Sequence, residues 1–301
     1  MNTNVSTARY IGSLVEKTIS PGNGVVYGVF SASVAFLFGD YIVSLYESGP
    51  DSPMGICASP LPRELFRTCL GLPVNYQNRI LTIGDGVWSI NLQQTELYPN
   101  QHICPIYGDK EKLKEARNSI YQILAEEPRK IGFYLLKDRL LQNESNMSMS
   151  EENGIMIAAV KPIMILHQGF LERNIGLCCT SIKGLLGLGP GLTPSGDDFL
   201  AGLFLTLKSF CLPKASAEFR DNLLERLCRI PAGLTSPYGW SIITASLEGC
   251  SSSVAIQALS GLFSGAFSLI NAKKLAKIGG SSGIDMLIGF SQAISLGLCL
   301  L

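Results

Sequence analysis

The chain has 301 residues, of which 47% are hydrophobic and 16% are charged, and its acidic and basic residues balance to a formal net charge of +0. This length and apolar content predict a folded protein with a large core, divided into one or two domains. The charge balance argues against the basic surface that nucleic acids or anionic membranes require, so we expect neither as a partner.

Nine cysteines are scattered without a CxxC pair, and their number is odd. This usage predicts reduced thiols in a cytoplasmic protein rather than a disulfide framework. The two histidines, His102 and His167, have no cysteine at zinc-ligand spacing. The N-terminus lacks the features of a signal peptide, and the apolar runs 24–46 and 286–301 predict two strands and a core helix rather than membrane spans.

The first half has the pattern of strands. From Val25 to about Cys104, short runs of β-branched and aromatic residues are separated by Gly, Pro, Asp and Asn. Within this region Gly39 and Asp40 mark a turn between two strands. Residues 109–127 change to a helical period. The apolar face of that helix consists of Leu113, Ala116, Ile120, Ile123 and Leu124.

The second half has the pattern of helices. A short helix is predicted over 133–141, followed by a polar linker over 142–153, so we place a domain boundary near residue 150. The fold class is therefore α+β, with a β-rich domain at 1–150 and an α-helical domain at 151–301 that carries two glycine-rich helix openings. Further helices are predicted at 197–210, 216–228 (capped by Ser216), 240–248, 254–271 and 285–300.

Those two openings share a motif. The stretch GLGPGLTPSGDDFLAG, residues 187–202, ends in a pattern S-G-x-D-[FM]-L-x-G that returns at 282–289 as SGIDMLIG. Each copy follows a glycine-rich turn and opens an apolar helix. Of the two adjacent aspartates, Asp198 has a counterpart in Asp285, whereas Asp197 has none.

The motif predicts a site for a small anion. The first turn of a helix has unpaired N–H groups and the positive end of the helix dipole, and glycines allow oxygen atoms of a ligand to approach the backbone. Asp198, Asp197 and Asp285 are the candidate catalytic residues. The candidate substrate-binding or anion-binding residues are Gly189, Gly191, Thr193, Ser195, Gly196, Gly280, Ser281, Ser282 and Gly283.

Three points stay open at this stage. The sequence Ser-Gly-Asp-Asp is also a good helix cap without any ligand, although capping does not explain why glycine, proline and acidic residues are concentrated twice. Asp197 and Asp198 point about 100° apart on a helix, so one caps the helix or holds an amide-bearing substrate while the other reaches the ligand or a magnesium ion. Residues 235–238, TSPY, predict a turn and a cap and are a weaker source of hydroxyl groups.

The first motif, with the later SSGIDMLIG, resembles the signature of a bacterial domain family first catalogued without a function. Its characterised members are the small subunit of oxamate carbamoyltransferase in anaerobic allantoin degradation. The second motif departs from the family pattern, because Gly280, Ser281 and Ile284 stand where members often have His, Thr and Trp.

The resemblance implies a reversible reaction in which oxalurate and phosphate give oxamate and carbamoyl phosphate. It also implies acyl-CoA ligase-like partner subunits. Under this hypothesis, backbone donors from Gly191 to Gly196 stabilise the charge that develops on oxygen, and Asp198 accepts the amide proton or orients the nitrogen.

Two other hypotheses come from different classes of protein. Residues 196–202 are similar to the glycine-aspartate turn of ribokinase-like kinases, in which Asp197 would be the base. There is no Walker motif, and the repeat at 282 argues against a kinase. The third hypothesis is a non-catalytic binding or assembly subunit that docks through the β-rich half.

Overall fold

The computed structural model describes residues 4–20, 22–49, 51–62, 65–107, 109–136, 154–264 and 269–301. Two compact units divide the chain. The first consists of Met1–Gln101 with Cys250–Ser253, and the second of His102–Gly249 with Val254–Leu301.

The first unit is an eight-stranded barrel. Its strands follow the order β5-β4-β3-β2-β6-β7-β8-β1, β1 pairs back onto β5, and β9 adds to β1. Two short helices, α1 and α2, complete the unit. The elements are β1 Asn4–Ile11, α1 Val15–Ile19, β2 Asn23–Val29, β3 Ser33–Phe38, β4 Tyr41–Tyr46, β5 Gly55–Ser59, α2 Leu65–Thr68, β6 Pro73–Gln77, β7 Ile80–Ile83, β8 Trp88–Asn91 and β9 Glu96–Leu97.

Strand alternation explains the core of the barrel. Along β7 and β8 every second residue is buried, as expected when one face of a strand points inward. The predicted turn at Gly39 and Asp40 is confirmed, because Phe38 pairs with Tyr41 across it. The run before this turn contains two strands, β2 and β3, since Phe30 donates its N–H to the carbonyl of Ser33 and reverses the chain there.

The second unit is helical. The predicted face of α3 is buried, and Asp109 caps that helix by accepting a hydrogen bond from the Lys112 N–H at 2.9 Å. The helices are α3 Lys110–Glu126, α4 Gly154–Leu171, α5 Ile175–Leu185, α6 Ser195–Ser209, α7 Lys214–Leu227, α8 Pro237–Leu247, α9 Ser253–Leu262, α10 Leu269–Ala276 and α11 Ser282–Leu300. The predicted fold class, β-rich first and helical second, is confirmed.

Several local predictions differ from the structure. Ser216 does not cap α7, because that helix begins after Pro213 and the Ser216 hydroxyl donates to the Leu300 carbonyl at 2.7 Å. Residues 254–271, predicted as one helix, contain all of α9 after Ser253 and the start of α10, with 265–268 outside the described residues. The predicted linker at 142–153 lies outside them as well.

The predicted boundary near residue 150 lies inside the second unit. The reason is that α3 is a helix of that unit, where its apolar face packs against α11. Residues 132–135 form a turn and residue 136 is helical, and the rest of the helix predicted over 133–141 lies outside the described residues.

Among the described residues, α4 and α11 have the length and apolar composition of a membrane span. The apolar stretch of α11 is 78% buried inside the protein and that of α4 is 33% buried. Burial of this extent makes α11 the core helix that its sequence predicts.

Candidate functional site

The two sequence motifs meet in the helical unit. The hydroxyl oxygens of Thr193 and Ser282 lie 3.3 Å apart, and those of Ser195 and Ser281 lie 3.4 Å apart. Since Ser195 begins α6 and Ser282 begins α11, the starts of the two helices lie side by side. The two helix openings therefore lie together and form one candidate site.

Glycines on α6 and α11 allow this approach. A Cβ atom on Gly202 would lie 3.0 Å from the carbonyl carbon of Met286, and one on Gly289 would lie 3.1 Å from that of Phe199. These contacts are reciprocal, because Gly202 and Gly289 hold the same place in the motif, as do Phe199 and Met286. The final glycine of each copy thus provides the space in which the other helix packs.

Asp198 is buried at the meeting point, with 3% of its surface exposed. It has side-chain hydrogen bonds with Ser282 and Thr193, and among the described residues its Oδ2 atom has no partner. Burial raises the pKa of Asp198 to about 8, and the neighbouring charge of Asp285 contributes to the rise. Asp198 is therefore mostly protonated at neutral pH.

Asp285 has the matching environment on the other helix. Its Oδ1 atom accepts a hydrogen bond from the Phe133 N–H at 2.6 Å, and it has side-chain hydrogen bonds with Ser281 and Ser195. In the described part of the chain its Oδ2 atom is also without a partner. Burial raises the pKa of Asp285 to about 6, so this carboxyl is mostly ionised at neutral pH. We refer to Asp198 and Asp285 as the acid pair.

Asp197 holds the first glycine loop in place. Its Oδ1 atom accepts a hydrogen bond from the Gly187 N–H at 2.8 Å, and its Oδ2 atom accepts one from the Thr235 hydroxyl. Burial raises the pKa of Asp197, and these two hydrogen bonds lower it. Ser236 caps α8 through the Gly239 N–H at 2.9 Å, which confirms the turn and cap predicted for residues 235–238. Asp197 therefore connects two loops and has no free oxygen directed at a ligand.

The glycine loops contain the remaining candidate residues. Gly189 and Gly191 have φ angles of +120° and +104°, which L-residues rarely adopt. At the helix starts, the Gly196 N–H donates to the Leu188 carbonyl at 2.8 Å, and the Gly283 N–H donates to the Ile278 carbonyl at 3.1 Å. Since these two donors are already used within their own loops, hydroxyl and carboxyl groups dominate the site.

A magnesium ion, one of the alternatives that the sequence leaves open, does not fit this arrangement. No group of three or more His, Cys, Asp or Glu side chains suited to a metal exists within the described ranges. Within the described residues the acid pair offers two unpartnered carboxyl oxygens, one from each aspartate. Mg²⁺ prefers ionised oxygen ligands in octahedral geometry.

Comparison with known families supports the resemblance that the motifs carry. Residues 185–294 match the family model of the oxamate carbamoyltransferase subunit AllH. The AllH match includes both motifs, the acid pair and Asp197, so the predicted resemblance to the small subunit of oxamate carbamoyltransferase is confirmed. The barrel and residues 102–184 lie before the matched region. No solved structure matches the chain.

Sequence reasoning missed one part of the site, residues 127–133. The backbone N–H of Phe133 donates a hydrogen bond to Asp285, and the centre of the Phe133 ring lies 5.4 Å from that of the Phe199 ring on α6. The only local signal in the sequence is Gly132, which has a φ angle of +61°. A single glycine before an apolar residue is too common to indicate a site.

Proposed function

We propose that this chain is a subunit of an oxamate carbamoyltransferase-like complex and that the acid pair contacts the reacting atoms. The observation that carries the proposal is the meeting of two buried carboxyls, each with an unpartnered oxygen, inside the region matched by AllH. Perturbed carboxyls of this kind occur preferentially at sites of chemistry. The proposed substrates are oxamate with carbamoyl phosphate, and oxalurate with phosphate in the reverse direction.

In the proposed reaction the amide nitrogen of oxamate attacks the carbamoyl carbon of carbamoyl phosphate. A C–N bond forms, the bond from carbon to the phosphate oxygen breaks, and phosphate leaves with the electron pair of that bond. The proton lost by the nitrogen is passed to the departing phosphate, so the products are oxalurate and hydrogen phosphate. Negative charge develops on the carbamoyl oxygen during the attack, and donors directed at that oxygen lower the barrier.

The different pKa values of the acid pair suggest a division of labour. Asp285, with its pKa near 6, accepts the amide proton and passes it on to phosphate. Asp198, with its pKa near 8, donates a hydrogen bond to the carbamoyl oxygen. The sequence-based hypothesis gave the proton-accepting role to Asp198; the raised pKa of Asp198 favours Asp285 for this role.

The other two hypotheses have less support. A ribokinase-like reaction needs Asp197 as the base, and both oxygens of Asp197 already accept hydrogen bonds from Gly187 and Thr235. The hypothesis of a non-catalytic assembly subunit does not explain why two carboxyls are buried with unpartnered oxygens. Acyl-CoA ligase-like partner subunits remain part of the proposal, as does a cytoplasmic location.

Reconstitution tests this function. The purified chain is combined with its partner subunits, oxalurate and phosphate are added, and carbamoyl phosphate is measured through ATP formation by a carbamate kinase. We expect carbamoyl phosphate only when this chain is present. Equal formation without the chain, or ATP-dependent phosphorylation of a sugar by the chain alone, contradicts the proposal.

A further inference from the structure

Residues 127–133, here called the latch, hold the second motif from outside the region that AllH matches. The Arg129 guanidinium donates hydrogen bonds to the carbonyls of Gly279 and Gly280 at 3.2 and 2.9 Å, and a further bond to the carbonyl of Ala276. These three carbonyls belong to the end of α10 and to the glycine turn before Ser281. One side chain therefore fixes the turn that leads into α11.

Glu127 holds Arg129 in this orientation. The carboxylate of Glu127 accepts the Arg129 Nε–H at 2.8 Å and the backbone N–H of Arg129 at 3.1 Å. Only 8% of the Glu127 side chain is exposed, and its bond with Arg129 lowers the pKa of Glu127, so the pair stays charged at neutral pH. A planar guanidinium with several donors can bond the carboxylate and the carbonyls at once, which a lysine cannot do.

The other end of the latch contacts the acid pair directly. The Phe133 N–H bonds Asp285, and a Cβ atom on Gly132 would lie 2.7 Å from Asp285 Oδ2 and 2.8 Å from Ser281 Cβ. The Phe133 ring packs on Phe199, the residue after Asp198. The latch thus touches the helix of each motif.

We infer that Arg129 is a positioning residue for the proposed reaction: through the latch it fixes the Gly279–Gly280 turn so that Ser281, Ser282 and Asp285 face the first motif. This inference rests on the proposed function for its catalytic consequence. Its structural part, the fixing of the turn, depends only on the contacts of Arg129.

The test compares Arg129→Gln and Arg129→Lys with a control, Arg229→Gln. Arg229 also bonds a glutamate, Glu225, but both of those side chains are largely exposed. Hydrogen exchange is followed over residues 276–285 of the chain, and kcat and KM are measured in the reconstituted complex. We expect Arg129→Gln to speed exchange in this segment at least tenfold and to lower kcat at least tenfold. Arg129→Lys should recover part of both losses, and Arg229→Gln should change neither.

The possible results are distinct. Unchanged exchange in Arg129→Gln overturns the inference, and so does faster exchange with kcat equal to that of the parent. If the parent complex itself transfers no carbamoyl group, the proposed function fails, and the exchange measurement still decides whether Arg129 fixes the turn. A second variant, Gly132→Ala, disturbs the end of the latch that contacts Asp285. It should lower kcat while leaving the Arg129 contacts in place.

Discussion

At the scale of single residues, the acid pair is governed by burial. Asp198 and Asp285 accept hydrogen bonds that lower their pKa, yet both pKa values are raised above 3.8 because the cost of removing a charge from water is larger. The unpartnered Oδ2 atoms add to this cost. The protein keeps this arrangement at the expense of stability, as is common at functional sites.

Replacing Asp198 by Asn should stabilise the protein at high pH. The folded-state pKa of Asp198, about 8, lies above the value of 3.8 expected in the unfolded chain. The stabilisation that Asp198 gives the folded state is therefore fully present below pH 4 and is lost as the pH rises to about 8. Asn mimics the protonated carboxyl and does not titrate. We expect the free energy of unfolding of Asp198→Asn to exceed that of the parent at pH 9 by an amount on the order of a few kcal/mol, and to equal it near pH 4.

Denaturant unfolding at several pH values measures this difference. Asp221→Asn is the control, since Asp221 is an exposed carboxyl paired with Arg220. A difference between Asp198→Asn and the parent that stays constant from pH 4 to pH 9 would mean that Asp198 does not titrate abnormally.

At the scale of secondary-structure elements, the close packing of α6 against α11 brings the candidate site together. The glycines of the motif have two separate roles in it. Those before the helices, such as Gly189 and Gly191, allow the positive φ angles of the loop, whereas Gly202 and Gly289 make room for the partner helix. A repeated motif therefore specifies both the loops and the packing of its own two copies.

Gly202→Ala should separate the two motifs. Its Cβ atom would lie 3.0 Å from the Met286 carbonyl carbon and closer still to the oxygen, so α11 must shift. We expect a loss of roughly 1–3 kcal/mol in the free energy of unfolding and a loss of carbamoyl transfer. In the matched control, Gly233→Ala, nothing lies within 4 Å of the added atom. Equal stability of the two variants would argue against close packing at Gly202.

Sequence reasoning succeeded where the determinants are local. Helix α3 could be predicted because its apolar face and its Asp109 cap lie within one segment, and the motif residues could be found because they are repeated. Helix α4 was missed, since Pro162 inside a nearly uniform apolar run obscures its period. The contact between the motifs and the role of Arg129 depend on long-range packing, which a single sequence does not display.

At the scale of the whole molecule, each compact unit has its own core. Trp88, Phe36 and Phe38 are fully buried in the barrel, and Phe199, Phe204 and Phe290 are fully buried in the helical unit. The cysteines are divided between these cores and the surface, and none of the nine, all of which lie in the described ranges, is part of a disulfide. The burial of each thiol predicts its reactivity.

Thiol titration should follow this division. Cys104, Cys211, Cys228 and Cys299 are exposed, whereas Cys57, Cys69, Cys178 and Cys250 are buried and Cys179 is intermediate. Burial raises the pKa of Cys178 to about 12, which suppresses its thiolate further. A disulfide-exchange reagent at pH 8 should therefore react quickly with only the exposed group in the native protein, and with all nine thiols in denaturant without a reductant. Fewer than nine in denaturant would reveal a disulfide.

The central claim is that the acid pair carries out carbamoyl transfer, and the most direct test is kcat of the reconstituted complex with Asp198→Ala or Asp285→Asn. Alanine is used at Asp198 because Asn would keep a hydrogen-bond donor at that position. Asp221→Asn again serves as the control for a lost carboxyl. We predict that each acid-pair variant lowers kcat by roughly 10²- to 10⁴-fold, while the control keeps the parent rate. Acid-pair variants that assemble normally and turn over within about twofold of the parent would contradict the account, since a change that small is far below a general acid or base contribution.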